Sequence, residues 1–289
     1  MASDTGILHN RIRVTKKVIN FGKPYGSYDI DDWIIKHHAL SFFPLKSSDL
    51  VSSEFLNVGI TAGYVEGDGY AQYVGTPDYD DSLCGFPNQD CTIFDGSFAV
   101  FSTQQNPELS GIVSPQCLGV VVQISYDDLS GLAADDVMVL CGVKLTDTGD
   151  YRFALTVRQD GTTAVFQNGV FVTDGPRLPQ DTPVLVTTSV SATGAVKAST
   201  ADQTVTGVGA APTAMTSSTR FDIAGCVESS ALVDKAQGDY TLKPFIGQME
   251  RVFFSRNALT PRAHLIGQTL ITMQTYYDPS KDFESAPSL

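Results

Sequence analysis

The sequence predicts an all-β protein: two sheets packed as a sandwich, with an N-terminal extension and a short C-terminal helix. Three observations carry this. Apolar runs are short, rich in β-branched residues and separated by turn residues, with 25 Gly and 14 Pro in 289 residues. Asp160-Gly161 and Asn168-Gly169 each sit between β-rich runs, which is the hairpin signature. Hydrophobic residues make up 42% of the chain, enough to fill one large core. No apolar run reaches the roughly 18–20 residues needed to span a bilayer.

Residues 1–46 read as an N-terminal arm. Ile7 to Phe21 alternates Ile and Val with basic residues, as an edge strand or an extended segment does. Asp29 to His38 has acids in its first turn and basic groups at its end, the charge order of a short helix. Trp33 is the only Trp and is expected to anchor this segment on the core. His37 and His38 are adjacent, so on a helix they diverge and cannot form an i, i+4 metal pair.

The sandwich is expected over residues 47–275. Residues 61–96 are dense in Gly, Asp and Tyr, and read as a broken hairpin with a long loop or as two loops around a short strand. Strands are expected at 97–102, 118–126, 137–143, 151–158, 164–167, 170–173, 184–190 and 195–200. A turn at Ala192-Thr193-Gly194 joins the last two. Residues 201–218 read as a long loop, Arg220 to Ile223 as a strand with Phe221 and Ile223 inward, and the residues from there to the closing strand as a further loop.

Phe245, Gly247 and Met249 alternate onto one face of the closing strand. Val252 and Phe254 restart the alternation one residue out of phase, so a bulge is expected near Glu250. Arg251 and Arg256 are expected at the surface or edge. Thr260 then reads as an N-cap and Pro261 as the first helical residue. Leu265, Ile266, Thr269, Leu270 and Met273 recur at helical spacing and define the face expected to pack on the sheets. His264 on this helix reads as structural. Residues 276–289 form a polar tail with Pro279 and Pro287.

The net charge is −13 and unevenly placed. The first 46 residues hold seven Lys/Arg against four acids. From Ser47 to Val143 there is no Lys or Arg, against 14 Asp/Glu. Such a surface cannot neutralise phosphates, which argues against nucleic-acid binding. The acids either solubilise the surface or bind a cation or sugar hydroxyls. Of the five cysteines, Cys84 and Cys91 are the only local pair able to bridge. Cys117, Cys141 and Cys226 lie in or beside apolar strands and read as small core residues. The opening Met-Ala-Ser-Asp-Thr-Gly lacks an apolar h-region, which predicts synthesis in a cytoplasm without export by the general secretory route.

The run Phe245–Pro261 resembles the closing strand of laminin-G-like domains in the concanavalin A-like jelly-roll superfamily. Its pattern is aromatic-x-Gly-x-Ile-x-x-Val-x-aromatic/aliphatic-aromatic-x-Arg-x-Leu-Thr/Ser. Phe245, Gly247, Val252, Phe253, Phe254, Arg256, Leu259 and Thr260 fit it, and Met249 stands in for Ile. Arg220 to Gly225 resembles the strand before it, and the likeness extends over about residues 100–262. It implies a two-sheet jelly roll and says little about activity.

Catalysis is not expected. Glucanases of this fold carry Glu-x-Asp-x-Glu on one strand. Here Glu66-Gly67-Asp68-Gly69-Tyr70 puts Tyr where the second carboxylate belongs. There is no Gly-x-Ser-x-Gly elbow and no phosphate-cradling glycine loop. A binding site is more credible. Tyr64, Tyr70, Tyr73 and Tyr79 interleave with acids including Asp68, the mix of aromatic platform and hydroxyl acceptors that sugars need. The competing reading makes these tyrosines core or interface residues. Laminin-G-like domains often bind calcium through loop acids, which the resemblance carries to Asp78, Asp80 and Asp81.

A jelly roll without signal peptide or glycosylation sequon, and with a basic arm, also looks like bacteriophage virion proteins: head decorations, head fibres or tail-fibre subunits. The resemblance implies a virion structural protein, homo-oligomeric, held to other virion subunits by its arm and displaying a glycan-binding sandwich. The alternatives are a carbohydrate-binding adhesion module and, last, a glycan hydrolase or lyase.

Overall fold

A computed structural model describes residues 39–45, 50–51, 54–56, 70–74, 91–102, 116–146, 148–216, 219–255 and 258–276. The expected helix at 29–38, Trp33, Arg256 and the tail 277–289 lie outside them. The described strands begin with β1 (Ala39–Pro44), β2 (Leu50–Val51), β3 (Glu54–Leu56), β4 (Tyr70–Val74), β5 (Thr92–Asp95), β6 (Ala99–Ser102) and β7 (Gln116–Gln123). After the one-turn helix α1 (Tyr126–Leu129) come β8 (Asp136–Lys144), β9 (Tyr151–Val157), β10 (Thr162–Gln167) and β11 (Val170–Arg177). Next are β12 (Val184–Val190), β13 (Ala195–Ser199), β14 (Thr204–Val208) and β15 (Arg220–Ile223). The chain continues through β16 (Cys226–Glu228), β17 (Ala231–Val233), β18 (Lys235–Gln237) and β19 (Tyr240–Lys243). It closes with β20 (Ile246–Ser255) and helix α2 (Pro261–Tyr276).

These strands make the predicted two-sheet sandwich. The first sheet runs β1-β20-β7-β12-β13-β14, with β5 also on β20; the second runs β11-β10-β9-β8-β15-β6-β4-β3-β2. Pairing is antiparallel except where β19 joins β8. Ala39–Pro44, read as part of the arm, is an edge strand of the first sheet, and Leu45 after it is fully buried.

The inner faces meet in one core. Val120, Val122, Val186, Met249, Val252 and Phe254 from the first sheet face Leu140, Phe153, Leu155, Val165, Phe221 and Ile223 from the second. Alternation puts these residues inward, and burying each large apolar side chain contributes about 1.5–3 kcal/mol. The register slips between Met249 and Arg251 against β7, which is the expected bulge. It keeps Met249, Val252 and Phe254 on the core side across the phase break. The turn signals also act as read. Asn168 (φ 51°) and Gly169 (φ 78°) are both left-handed, as a two-residue hairpin turn of the primed kind requires.

Four expectations are corrected. Residues 201–218 are not all loop, because β14 lies within them and continues the first sheet beyond β13. The stretch after Ile223 is not loop either: β16–β17 and β18–β19 are hairpins. Cys226 and Leu242 from this segment are buried with Val137, Val139, Tyr151, Ala154, Ala164 and Phe166, so part of the second sheet is covered on both faces. That accounts for the unbroken apolar run in β8.

Arg251 is not at the surface. It is fully buried and ion-paired with Glu250, the bulge having re-aimed two consecutive side chains so that they meet.

The fourth correction concerns α2. Thr260 does cap it, its hydroxyl accepting from the Ala263 N–H at 3.2 Å. But the face turned to the sheet carries His264 and Ile271, each 1% exposed, while Leu265 and Ile266 are exposed. Polar anchoring decides the rotation. His264 Nε2 lies 2.8 Å from the Thr187 hydroxyl, and Gln268 accepts from the Leu185 N–H and donates to the Pro183 carbonyl.

Candidate functional site

Of the residues singled out for ligand binding, Tyr64, Asp68 and Tyr79 lie outside the described residues, as do the calcium candidates Asp78, Asp80 and Asp81. Tyr70 and Tyr73 fall in β4, a short strand inside the second sheet, in register with Leu56 and Val100. Among the described residues no group of three His, Cys, Asp or Glu is arranged to hold a metal ion. Cys91 is disulfide-bonded, and Cys117, Cys141 and Cys226 are free and buried. Cys84, the fifth cysteine, lies outside the described residues.

Two polar constellations stand out on the outer face of the second sheet. One is internal. Lys144 Nζ sits 2.7 Å from Asp222 Oδ2, and the two side chains are 0% and 3% exposed. Asp222 also accepts from the Tyr151 hydroxyl at 2.8 Å and the Val227 N–H at 3.2 Å, while Lys144 donates to the Val227 carbonyl at 2.6 Å. Gly142 makes room: a Cβ there would lie 2.5 Å from the Tyr151 ring. Burial raises the Asp222 carboxyl, opposed by the Lys144 ammonium. Burial, with Asp222 beside it, raises the Tyr151 phenol well above its usual range, and burial pushes the Cys226 thiol up to about 11. No member reaches solvent, so this network ties the covering hairpins to the sheet rather than meeting a ligand. It also means that Lys144, the first cation after the Lys- and Arg-free stretch, returns no positive charge to the surface.

The other constellation is open. The Arg158 guanidinium carbon lies 5.0 Å from the ring centroids of both Phe171 and Tyr240. Its Nε is 2.9 Å from Asp174 Oδ1 and its Nη2 donates to the Tyr240 hydroxyl at 3.0 Å. The rings brace each other: Phe171–Tyr240 at 5.3 Å, Phe166–Tyr240 at 5.4 Å edge to face. Three separate elements build it. Arg158 follows β9, Phe171 and Asp174 come from β11, and Tyr240 comes from β19 of the covering segment. Arg158 is 23% exposed at its side chain, Asp174 54%, and neighbouring Val170 62%. Gln237 pairs with Tyr240 across β18 and β19, so the two side chains share a face. Its buried amide has neither oxygen nor nitrogen hydrogen-bonded among the described residues.

This arrangement fixes a forked donor and a carboxylate acceptor side by side, with apolar rings at their flank. The sequence reading missed it. Arg158, Phe171 and Asp174 sit on hairpins that were recognised, but Tyr240 comes from a segment read as loop, and only tertiary packing brings it over Arg158.

The fold is an antiparallel β-sandwich. Neither a protein-family model nor a curated protein sequence matches the chain. Solved structures do. Domain 4 of AbnA, a GH43 extracellular arabinanase from Geobacillus stearothermophilus in complex with arabinotriose, matches with a TM-score of 0.50. The identity is 13% over 80% of this chain and 98% of that one. The binding domain of botulinum neurotoxin DC in complex with rat synaptotagmin II matches at TM-score 0.53 and 9% identity, over 82% of this chain. Trypanosoma rangeli sialidase in complex with 2,3-difluoro-KDN matches at 0.51 and 11% over 81%. The match spans 52% of the toxin domain and 32% of the sialidase. At such identities the likeness establishes the fold alone.

Proposed function

We propose that this chain is a non-catalytic glycan-binding β-sandwich module that reads sugar hydroxyls through Arg158 and Asp174. The observation that carries the reading is the Arg158–Asp174 pair itself: partly exposed, with the guanidinium held by Phe171 and Tyr240. A guanidinium and a carboxylate at this spacing donate to and accept from neighbouring hydroxyls, while the rings and Val170 offer apolar flanks to the C–H faces of a sugar. Support from outside the chain is that the arabinanase domain, bound to arabinotriose, shares the fold along nearly its whole length.

A glycan array with the full chain, followed by calorimetry on the best ligand, tests this. Arg158→Ala and Asp174→Ala are each expected to weaken binding about tenfold to a hundredfold, the loss of one or two charge-assisted hydrogen bonds. An array without hits, or wild-type affinity in Arg158→Ala, sinks the reading. Loss in Tyr70→Ala with retention in Arg158→Ala moves the site to the Tyr/Asp stretch 64–81. Calcium held by Asp78, Asp80 and Asp81 is a narrower proposal, read out as loss of glycan binding on adding a chelator.

A virion subunit displaying this module is narrower still, supported by the basic composition of residues 1–46. It predicts the chain in stoichiometric amounts in purified particles by mass spectrometry, and its absence there removes the reading.

A further inference from the structure

The two sheets end in edges treated very differently. β1 and β5 share one edge of the first sheet, which carries Pro44 and Asp95. The second sheet ends on one side in β2, only two residues long. On the other side it ends in β11, whose pairing with β10 is interrupted twice and which carries Asp174 and Arg177. A proline, shortness, irregular pairing and charge are each devices that keep an edge from pairing further. β14, the remaining edge of the first sheet, has none of them. Its sequence is Thr-Val-Thr-Gly-Val, its register with β13 is unbroken from Ala195–Val208 to Ser199–Thr204, and it pairs with nothing else among the described residues. β11 packs on its inner face, where a Cβ at Gly207 would lie 2.6 Å from Thr173. Thr204, Thr206 and Val208 face solvent, Val208 at 87% exposure.

We propose that β14 is a self-association edge, pairing antiparallel with β14 of a second copy about a two-fold axis at Thr206. Charge selects a second copy as the occupant. Each chain has a net charge of −13, so two copies repel wherever acids meet. From Gln203 to Thr219 the sequence holds no Asp, Glu, Lys or Arg, so this edge lets two like-charged molecules approach at least cost. The pairing is also self-complementary. Thr206 meets its own copy, and Thr204 meets Val208, which are favourable cross-strand combinations on one face. The interface is isologous and extends the first sheet continuously across both copies. One short strand buries little area, so the dimer is weak and concentration-dependent.

Analytical ultracentrifugation of the full chain from low to high micromolar concentration tests this. The expected result is a mass rising from 31.0 kDa towards twice that value. Thr206→Lys, which places two like charges opposite each other at the axis, is expected to stay monomeric over the same range while remaining folded by circular dichroism. Ala192→Lys, in the exposed turn before β13, is expected to associate as wild type does. A wild-type chain that stays monomeric at every concentration overturns the proposal. So does a folded Thr206→Lys variant that associates like wild type, which would mean that another surface is responsible. Neither outcome depends on glycan binding.

Discussion

Replacing Asp222 by Ala removes the carboxylate beside a fully buried ammonium. Lys144 and Asp222 are 2.7 Å apart and at most 3% exposed. Breaking such a pair costs about 3–5 kcal/mol, because the remaining charge has left water without its counter-charge. The Val227 N–H also loses its acceptor, a further desolvation cost of about 1–3 kcal/mol. The Tyr151 hydroxyl keeps the Gly225 carbonyl at 3.0 Å, so its loss is partial. These effects overlap, and the expected total is about 4–6 kcal/mol, a large share of a domain's stability. The double variant Lys144→Met/Asp222→Leu removes both charges and refills the volume, so that mainly the unpaired Val227 backbone groups remain, and it is expected to cost about 1–3 kcal/mol. Urea unfolding followed by fluorescence measures both, with m held constant as the check on two-state behaviour. Asp222→Ala within about 1 kcal/mol of wild type, or a double variant no more stable than the single one, would falsify the claim that a buried charge pair pins the covering hairpins.

Two further outcomes follow from the described contacts. Burial holds the His264 imidazole at about 4, below its usual 6.5, so the unfolded chain binds a proton in that window that the folded protein excludes. Stability is therefore full above pH 6.5 and falls as pH drops towards 4, by about 3 kcal/mol at most. His264→Gln should flatten the slope in urea titrations across that window, and an unchanged slope would assign it to other groups. Gly119→Ala puts a Cβ 2.1 Å from Phe253 Cζ. Thermal melts should show a loss of about 1–3 kcal/mol from overpacking, largely recovered by adding Phe253→Leu; no loss would mean that the Phe253 ring moves aside freely.

The sequence by itself determined whatever local chemistry specifies. Alternation assigned Phe221, Ile223, Met249, Val252 and Phe254 to the core, and the phase break between Met249 and Val252 placed the bulge. Asn168-Gly169 announced its hairpin, because few residue pairs adopt two left-handed conformations in succession. Thr260-Pro261 marked the start of α2, since cap and first turn are made within four residues. Tertiary structure alone decided what depends on partners distant in the chain. The apolar stripe of α2 pointed towards Leu265 and Ile266. The helix turned instead to bury His264 and set Gln268, half-buried, against the sheet, because Thr187 and the backbone groups of Leu185 and Pro183 were there to bond them. Lys144 became an internal ion pair because Asp222, 78 positions on, was brought beside it. Arg158 gained its second ring and its hydroxyl partner, both from Tyr240, only when the hairpin bearing that residue folded over the second sheet. Periodicity encodes that a face is apolar or polar; which neighbours it meets is fixed by packing, and the candidate site is made of such meetings.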